Sequence, residues 1–145
     1  MVAWDRELKI VHRRLRRALE VARESVDRAS VIPNDLLLYC HGFCLALRGH
    51  HRAEDRELFP LLVSRNPGLA PSISRLRQDH EMIAHLLIEL DQAVGRAEPP
   101  DVVRSHLDGV TAIMESHFRY EERELLGPLA AMSLPTDPSS ALGPL

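Results

Sequence analysis

His50-His51-Arg52-Ala53-Glu54-Asp55 places two imidazoles and two carboxylates within six residues, just before Leu58-Phe59-Pro60. If the stretch is helical, His50 and Glu54 lie one turn apart on the same face. That face also carries Phe43 and Leu61, residues that favour burial. The same spacing recurs at His117 and Glu121, with Ile113 one turn earlier. His12 falls between Leu8 and Leu15, and His80 between Leu76 and Ile83, each on an apolar stripe. Four helical segments thus each turn at least one histidine inward, and two add a carboxylate one turn later.

Buried carboxylates without partners cost several kcal/mol each, so something must satisfy them. Mutual His–Glu hydrogen bonds within the protein would be one answer. A metal would satisfy the whole set, since imidazole nitrogen and carboxylate oxygen suit Fe, Mn or Zn. Six ligands (His12, His50, Glu54, His80, His117 and Glu121) exceed what one tetrahedral zinc takes. They suit two metals with the carboxylates bridging. Other metal patterns fit less well. No histidine has a Glu three residues before it, as ferritin-like bundles require. His80-Glu81-Met82-Ile83-Ala84-His85 is one residue too long for the zincin spacing. Cysteine is too scarce for a thiolate site.

The elements that would hold these ligands are helices. Breakers fall at Ile32-Pro33-Asn34-Asp35, at Asn66-Pro67-Gly68 with Pro71, and at Glu98-Pro99-Pro100-Asp101. They leave four segments, roughly 4–29, 35–65, 71–96 and 101–126. Apolar residues recur in them at spacings of three and four, as in Leu8, Val11, Leu15, Leu19, Ala22 and Val26. Short connections between long helices predict an all-α, up-down-up-down antiparallel four-helix bundle over 1–132. Pro60 should kink the second helix. From 133 to 145, prolines among Ser and Gly predict a loose tail.

Composition narrows the function classes. With 145 residues the chain is one domain's worth, and 45 % apolar residues can build a core. A net charge of −3 gives no general attraction to nucleic acid or membrane. The basic run Arg13-Arg14-x-Arg16-Arg17 reads as a solvated helix face with i,i+4 pairs such as Arg16/Glu20. Cys40 and Cys44, four apart on a helix, read as buried thiols rather than a disulfide. No signal peptide opens the sequence, and the longest largely apolar run, Leu36–Leu47, is too short to span a bilayer. A cytoplasmic protein, monomeric or weakly self-associating, is expected.

His12 in VHRRL, His50 and Glu54 in HHRAEDRELFP, His80 in QDHEMIAHLL, and His117 with Glu121 in HFRYEERELLGPL together resemble the hemerythrin-like family of HHE cation-binding domains. The resemblance covers about residues 5–130. It implies a bundle enclosing two non-haem iron ions, oxo- or hydroxo-bridged, that meet O2, hydrogen peroxide or NO. One position departs from the oxygen carriers of that family. They have a second histidine four residues after the first on the third helix, where this sequence has Ala84.

Three residues are candidates to fill that gap or stand beside the metals. His51 is about 100° from His50 around the helix, with Asp55 as its expected partner. His85 lies about 140° off the His80 face. Tyr120 adjoins Glu121. His41 is expected at the surface, and His106, about 16 Å from His117 along the helix, is too far to share its site. A missing imidazole leaves a position open, which favours peroxide consumption or O2 activation over simple O2 carriage. An oxidase or oxygenase acting on a small organic substrate is the alternative, as is a non-catalytic iron or O2 sensor. Beyond the metal ligands, no catalytic residue is evident.

Overall fold

The computed structural model describes residues 2–28 and 34–143, and among them it is helical with no strand. Helix α1 spans Trp4–Asp27 and α2 spans Asn34–Ala53. A π-helical turn, Glu54–Leu58, joins α2 to α3, Phe59–Arg65. A 3₁₀ turn at Pro67–Leu69 leads into α4, Ala70–Gly95, followed by α5, Pro100–Ala130, and the short α6, Pro138–Leu142. The breaker expected at Ile32-Pro33 lies outside the described residues. The last long helix runs past its expected end, through Pro128 to Ala130.

Each long helix exists because its apolar residues repeat with the helical period. In α1 the buried positions are Trp4, Leu8, Val11, His12, Leu15, Leu19, Ala22 and Val26, a single stripe. Val103, Leu107, Val110, Met114, Phe118 and Leu125 form the matching stripe of α5. Helix α1 packs on α2 and α5, and α4 packs on the same two, so the stripes enclose one core. Cys40 and Cys44 are unpaired within it, and burial pushes their thiols up to about 11 and about 12. Among the described residues, no helix is long and apolar enough to cross a membrane.

The disturbance expected from Pro60 takes the form of the π-turn. Phe59 N–H bonds to the Glu54 carbonyl, five residues back rather than four. Pro60 has no N–H, and in a regular helix its ring would press on the Arg56 carbonyl. Widening the turn just before it relieves that contact and admits one extra residue.

The C-terminal segment is not loose where it is described. Leu134, Ala141 and Leu142 are buried, and α6 packs against α2, the π-turn and α1. Asp137 caps α6 by accepting from Ser140 N–H, and Thr136 donates to Glu57. Proline and serine gave the segment its disordered look, but its three apolar side chains join the buried core. Gly143 sits at φ 90°, where a Cβ would come within 3.2 Å of the His50 backbone.

Candidate metal centre

Helix α1 contributes His12, held in phase by Val11 and Leu15. Helix α2 contributes His50 and His51, and the first residue of the π-turn is Glu54. Helix α4 contributes His80, and α5 contributes His117 and Glu121. All seven are buried: His51 and His80 are 5 % exposed and the others 0–1 %.

Their ligand atoms fall into two overlapping groups. His51, Glu54, His80 and His117 form one, and His12, His50, Glu54 and Glu121 the other, each within 4.8 Å. Glu54 Oε1 stands 3.3 Å from His50 Nε2 and 3.4 Å from His80 Nε2. Glu121 Oε2 stands 3.3 Å from His117 Nε2 and 3.6 Å from His12 Nε2. Each carboxylate therefore lies between a histidine of one group and a histidine of the other. Two atoms bound to one ion at ~2.1 Å, with octahedral or tetrahedral angles, are ~3.0–3.4 Å apart. Three of these four separations fall in that interval and the fourth is slightly longer.

The donor atoms also pass a test of satisfaction. Nε2 of all five histidines and both oxygens of Glu54 and Glu121 are buried with no hydrogen-bond partner. Buried polar atoms are rarely left so, and nine facing one another call for a cation. Four of the five rings meanwhile have their outer nitrogen engaged. His50 Nδ1–H donates to the Leu142 carbonyl at 2.7 Å. The Nδ1–H groups of His12, His80 and His117 donate to Glu122, Asp55 and Asp79 at 2.9, 2.9 and 3.2 Å. Acceptors at Nδ1 fix the tautomer that leaves the Nε2 lone pair pointing inward, and they raise its basicity.

These acids pass from helix to helix. Asp55 follows Glu54 on the π-turn and serves His80 of α4. Asp79 precedes His80 and serves His117 of α5. Glu122 follows Glu121 and serves His12 of α1, where Arg16 also grips it at 3.1 Å. Each is one residue, about 100°, from a ligand on its own helix, and so faces the neighbouring helix.

Electrostatics suits metal ligation. Burial, with His12 and His80 close by, pushes His50 down to about 3, and His51 falls well below its ordinary value for the same kind of reason. Both are neutral imidazoles at pH 7. Burial works against a charge on His12 and His117 too, but Glu121 with Glu122 or Asp79 outweighs it and raises both. Desolvation, then the nearby Glu121, holds the Glu54 carboxyl well above the usual range. A divalent cation between the two carboxylates would remove that conflict.

All six residues expected as ligands come together. Of the three further candidates, His51 joins them. Its ring stacks on His80, with centroids 3.9 Å apart and planes 13° apart, and lies 5.1 Å from His117. His51 and Ala84 line the same cavity, so an imidazole stands beside the position where Ala84 offers only a methyl group. The other two candidates do not join. The His85 side chain is 72 % exposed and pairs with Glu89, because five residues of α-helix carry it away from the His80 face. The Tyr120 ring packs under the guanidiniums of Arg75 and Arg123, one residue off the Glu121 direction. Asp55, expected to partner His51, bonds His80 instead. Arg16, read as solvated, reaches across to Glu115 and Glu122. His41 is exposed and meets Asp91.

A cavity of about 460 Å³ lies against His51 and His80, bounded also by Arg48, Arg52, Ala84 and Ile88. It approaches the centre on the flank between α2 and α4.

Comparison with known proteins agrees with this geometry. Neither the curated proteins nor the solved structures compared include a match. The family model of the hemerythrin HHE cation-binding domain matches residues 5–129. That span runs from the start of α1 to the end of α5 and contains every converging histidine and carboxylate. The chain belongs to the hemerythrin HHE cation-binding domain family.

Proposed function

We propose that this chain is a non-haem di-iron protein that binds O2 or hydrogen peroxide and reacts with it, rather than carrying O2 reversibly. The single observation behind the reading is the pair of ligand groups sharing Glu54, with nine buried donor atoms otherwise unpartnered. His51, His80 and His117 with Glu54 would hold one iron, and His12 and His50 with Glu54 and Glu121 the other. Two irons so held would supply the electrons that O2 or peroxide reduction needs.

The chain's own residues define the rest. Asp55, Asp79, Glu122 and the Leu142 carbonyl orient the imidazoles. Phe59 and Phe118 cover the centre, stacking on His80 and His12 with centroids 5.5 and 4.1 Å apart, and exclude water. The split is unequal, three histidines against two, and the side with two is the one expected to exchange ligands and meet O2 or peroxide. The four long helices are read as an up-down-up-down antiparallel bundle, in a cytoplasmic protein that is monomeric or weakly self-associating.

A second reading, an oxidase or oxygenase of a small organic molecule, is favoured by the cavity at His51 and His80. Its walls are more than small apolar groups. The test is elemental analysis of the purified chain, followed by visible spectra during additions of O2, hydrogen peroxide and NO. About two irons per chain and steady peroxide loss are expected. One tightly bound zinc, with no response to any of the three, would overturn the proposal. Iron with no turnover would leave a sensor.

A further inference from the structure

Arg48, Arg52 and Arg56 are spaced one turn apart along α2 and into the π-turn, and all three line the cavity that reaches His51 and His80. None has an acidic partner among the described residues. Elsewhere Arg16, Arg23 and Arg104 are tied to Glu115, Asp108 and Asp27. Like charges at this spacing repel by a few tenths of a kcal/mol per pair, a cost that an anion between them would remove. Arg48 is half-buried.

The acids at the same cavity do not neutralise them. Asp55 is bonded to His80, and Glu81 is an exposed residue of α4. Three arginines against two carboxylates leave a formal charge of +1 around the opening (3 − 2), histidines left out of the count. The remaining wall is apolar. Leu87 is fully buried and Ile88 is 45 % exposed. Ala84, where a histidine would stand in an oxygen carrier, presents only a methyl group and leaves the space free. A volume of about 460 Å³ lies within the range of small-molecule sites.

We propose that this cavity binds a small carboxylic acid. Its carboxylate is held by Arg48, Arg52 and Arg56, and its apolar body lies along Ala84, Leu87 and Ile88 towards His51 and His80. Guanidinium suits this role because its fork matches a carboxylate. The proposal rests on the di-iron reading for what would be done to that acid, but binding itself can be measured without turnover.

The experiment is calorimetric titration of the zinc-loaded chain with benzoate, with the neutral isostere benzamide, and with inorganic phosphate. Metal content is measured in every sample. Benzoate is expected to bind at least ~10-fold more tightly than benzamide, as charge-assisted hydrogen bonds require. The double variant Arg52→Gln/Arg56→Gln should lose that preference with its metal content unchanged. Ala84→Met should abolish binding by filling the cavity, again with metal retained. Equal affinity for benzoate and benzamide would overturn the proposal. So would benzoate binding that ignores the arginines, since that is direct ligation by the metal. Phosphate binding as tightly as benzoate would show an inorganic-anion site and overturn the organic part. A chain that holds no iron as purified would defeat the di-iron reading alone.

Discussion

Removing the metal should cost this fold a large part of its stability. Nine buried donor atoms face one another with no partner. At ~1–3 kcal/mol for each unsatisfied group, even the lower figure sums to ~9 kcal/mol, comparable with the ~5–15 kcal/mol that holds a whole domain together. A proton on Glu54 recovers some of this, and local opening to water recovers more. The metal-free chain is therefore expected to repack around α2 and the π-turn. From the binding side, two ions each at a hundred times their dissociation constant contribute ~2.7 kcal/mol apiece, ~5.4 kcal/mol together. At ~2–4 °C per kcal/mol for a chain near this length, the melting temperature should fall by ~10–20 °C on chelation. Differential scanning calorimetry of iron-loaded, zinc-loaded and chelated protein gives the shift, and near-ultraviolet circular dichroism reports the repacking. A chelated protein that melts within ~3 °C of the loaded one, with an unchanged spectrum, would show that the carboxylates are satisfied without metal.

Further outcomes follow from the geometry. His51→Ala should remove an ion's worth of metal and His85→Ala none, as read by elemental analysis. Asp55→Asn, Asp79→Asn and Glu122→Gln should each weaken metal affinity ~10–100-fold without emptying the site, measured by competition with a chelator of known affinity. Cys40 and Cys44, with thiols raised to about 11 and about 12, should resist alkylation at pH 8 in the folded protein and react once it is unfolded. Because the folded values lie above the unfolded ones, their share of stability is intact below about pH 8.5 and is lost as pH rises towards 11–12, which denaturant midpoints taken across that range would show. Gly143→Val should lower thermal stability by ~1–3 kcal/mol and loosen the Leu142 carbonyl from His50, since φ 90° disfavours a branched residue and its Cβ would crowd the His50 backbone.

The convergence of the six residues expected as ligands was legible because a stripe of Leu, Val and Ile fixes the direction of each regular helix. His12, His80, His117 and Glu121 sit on such stripes and point where the period says. His51 was only half legible. It adjoins a turn in which a helix of fixed pitch no longer holds, and the signal for that turn was Pro60 six residues after Glu54. The acids behind the histidines were hidden for a different reason. Asp55, Asp79 and Glu122 act between helices, and helical phase on one chain segment says nothing about which neighbour it faces. Adjacency to a ligand was their one trace. The ordered tail was hidden by its composition, since Leu134, Ala141 and Leu142 are few among prolines and serines.

The handing of acids around the bundle has a consequence for how such a centre can be inherited. A helix taken from another member of the family brings its own ligand, but the acid that orients this ligand stays behind on the neighbour. It also brings an acid aimed at the next histidine along. A chimera that swaps α4 or α5 alone therefore mismatches two contacts at once, one received and one given. Exchanging α4 alone would put at risk both the Asp55–His80 and the Asp79–His117 bonds. Exchanging α4 together with α5 would keep the second intact but would put the Glu122–His12 bond at risk instead. Widening the exchanged block moves the mismatch to its edges rather than removing it, and sequence drift at these acids should be read across helices rather than along them.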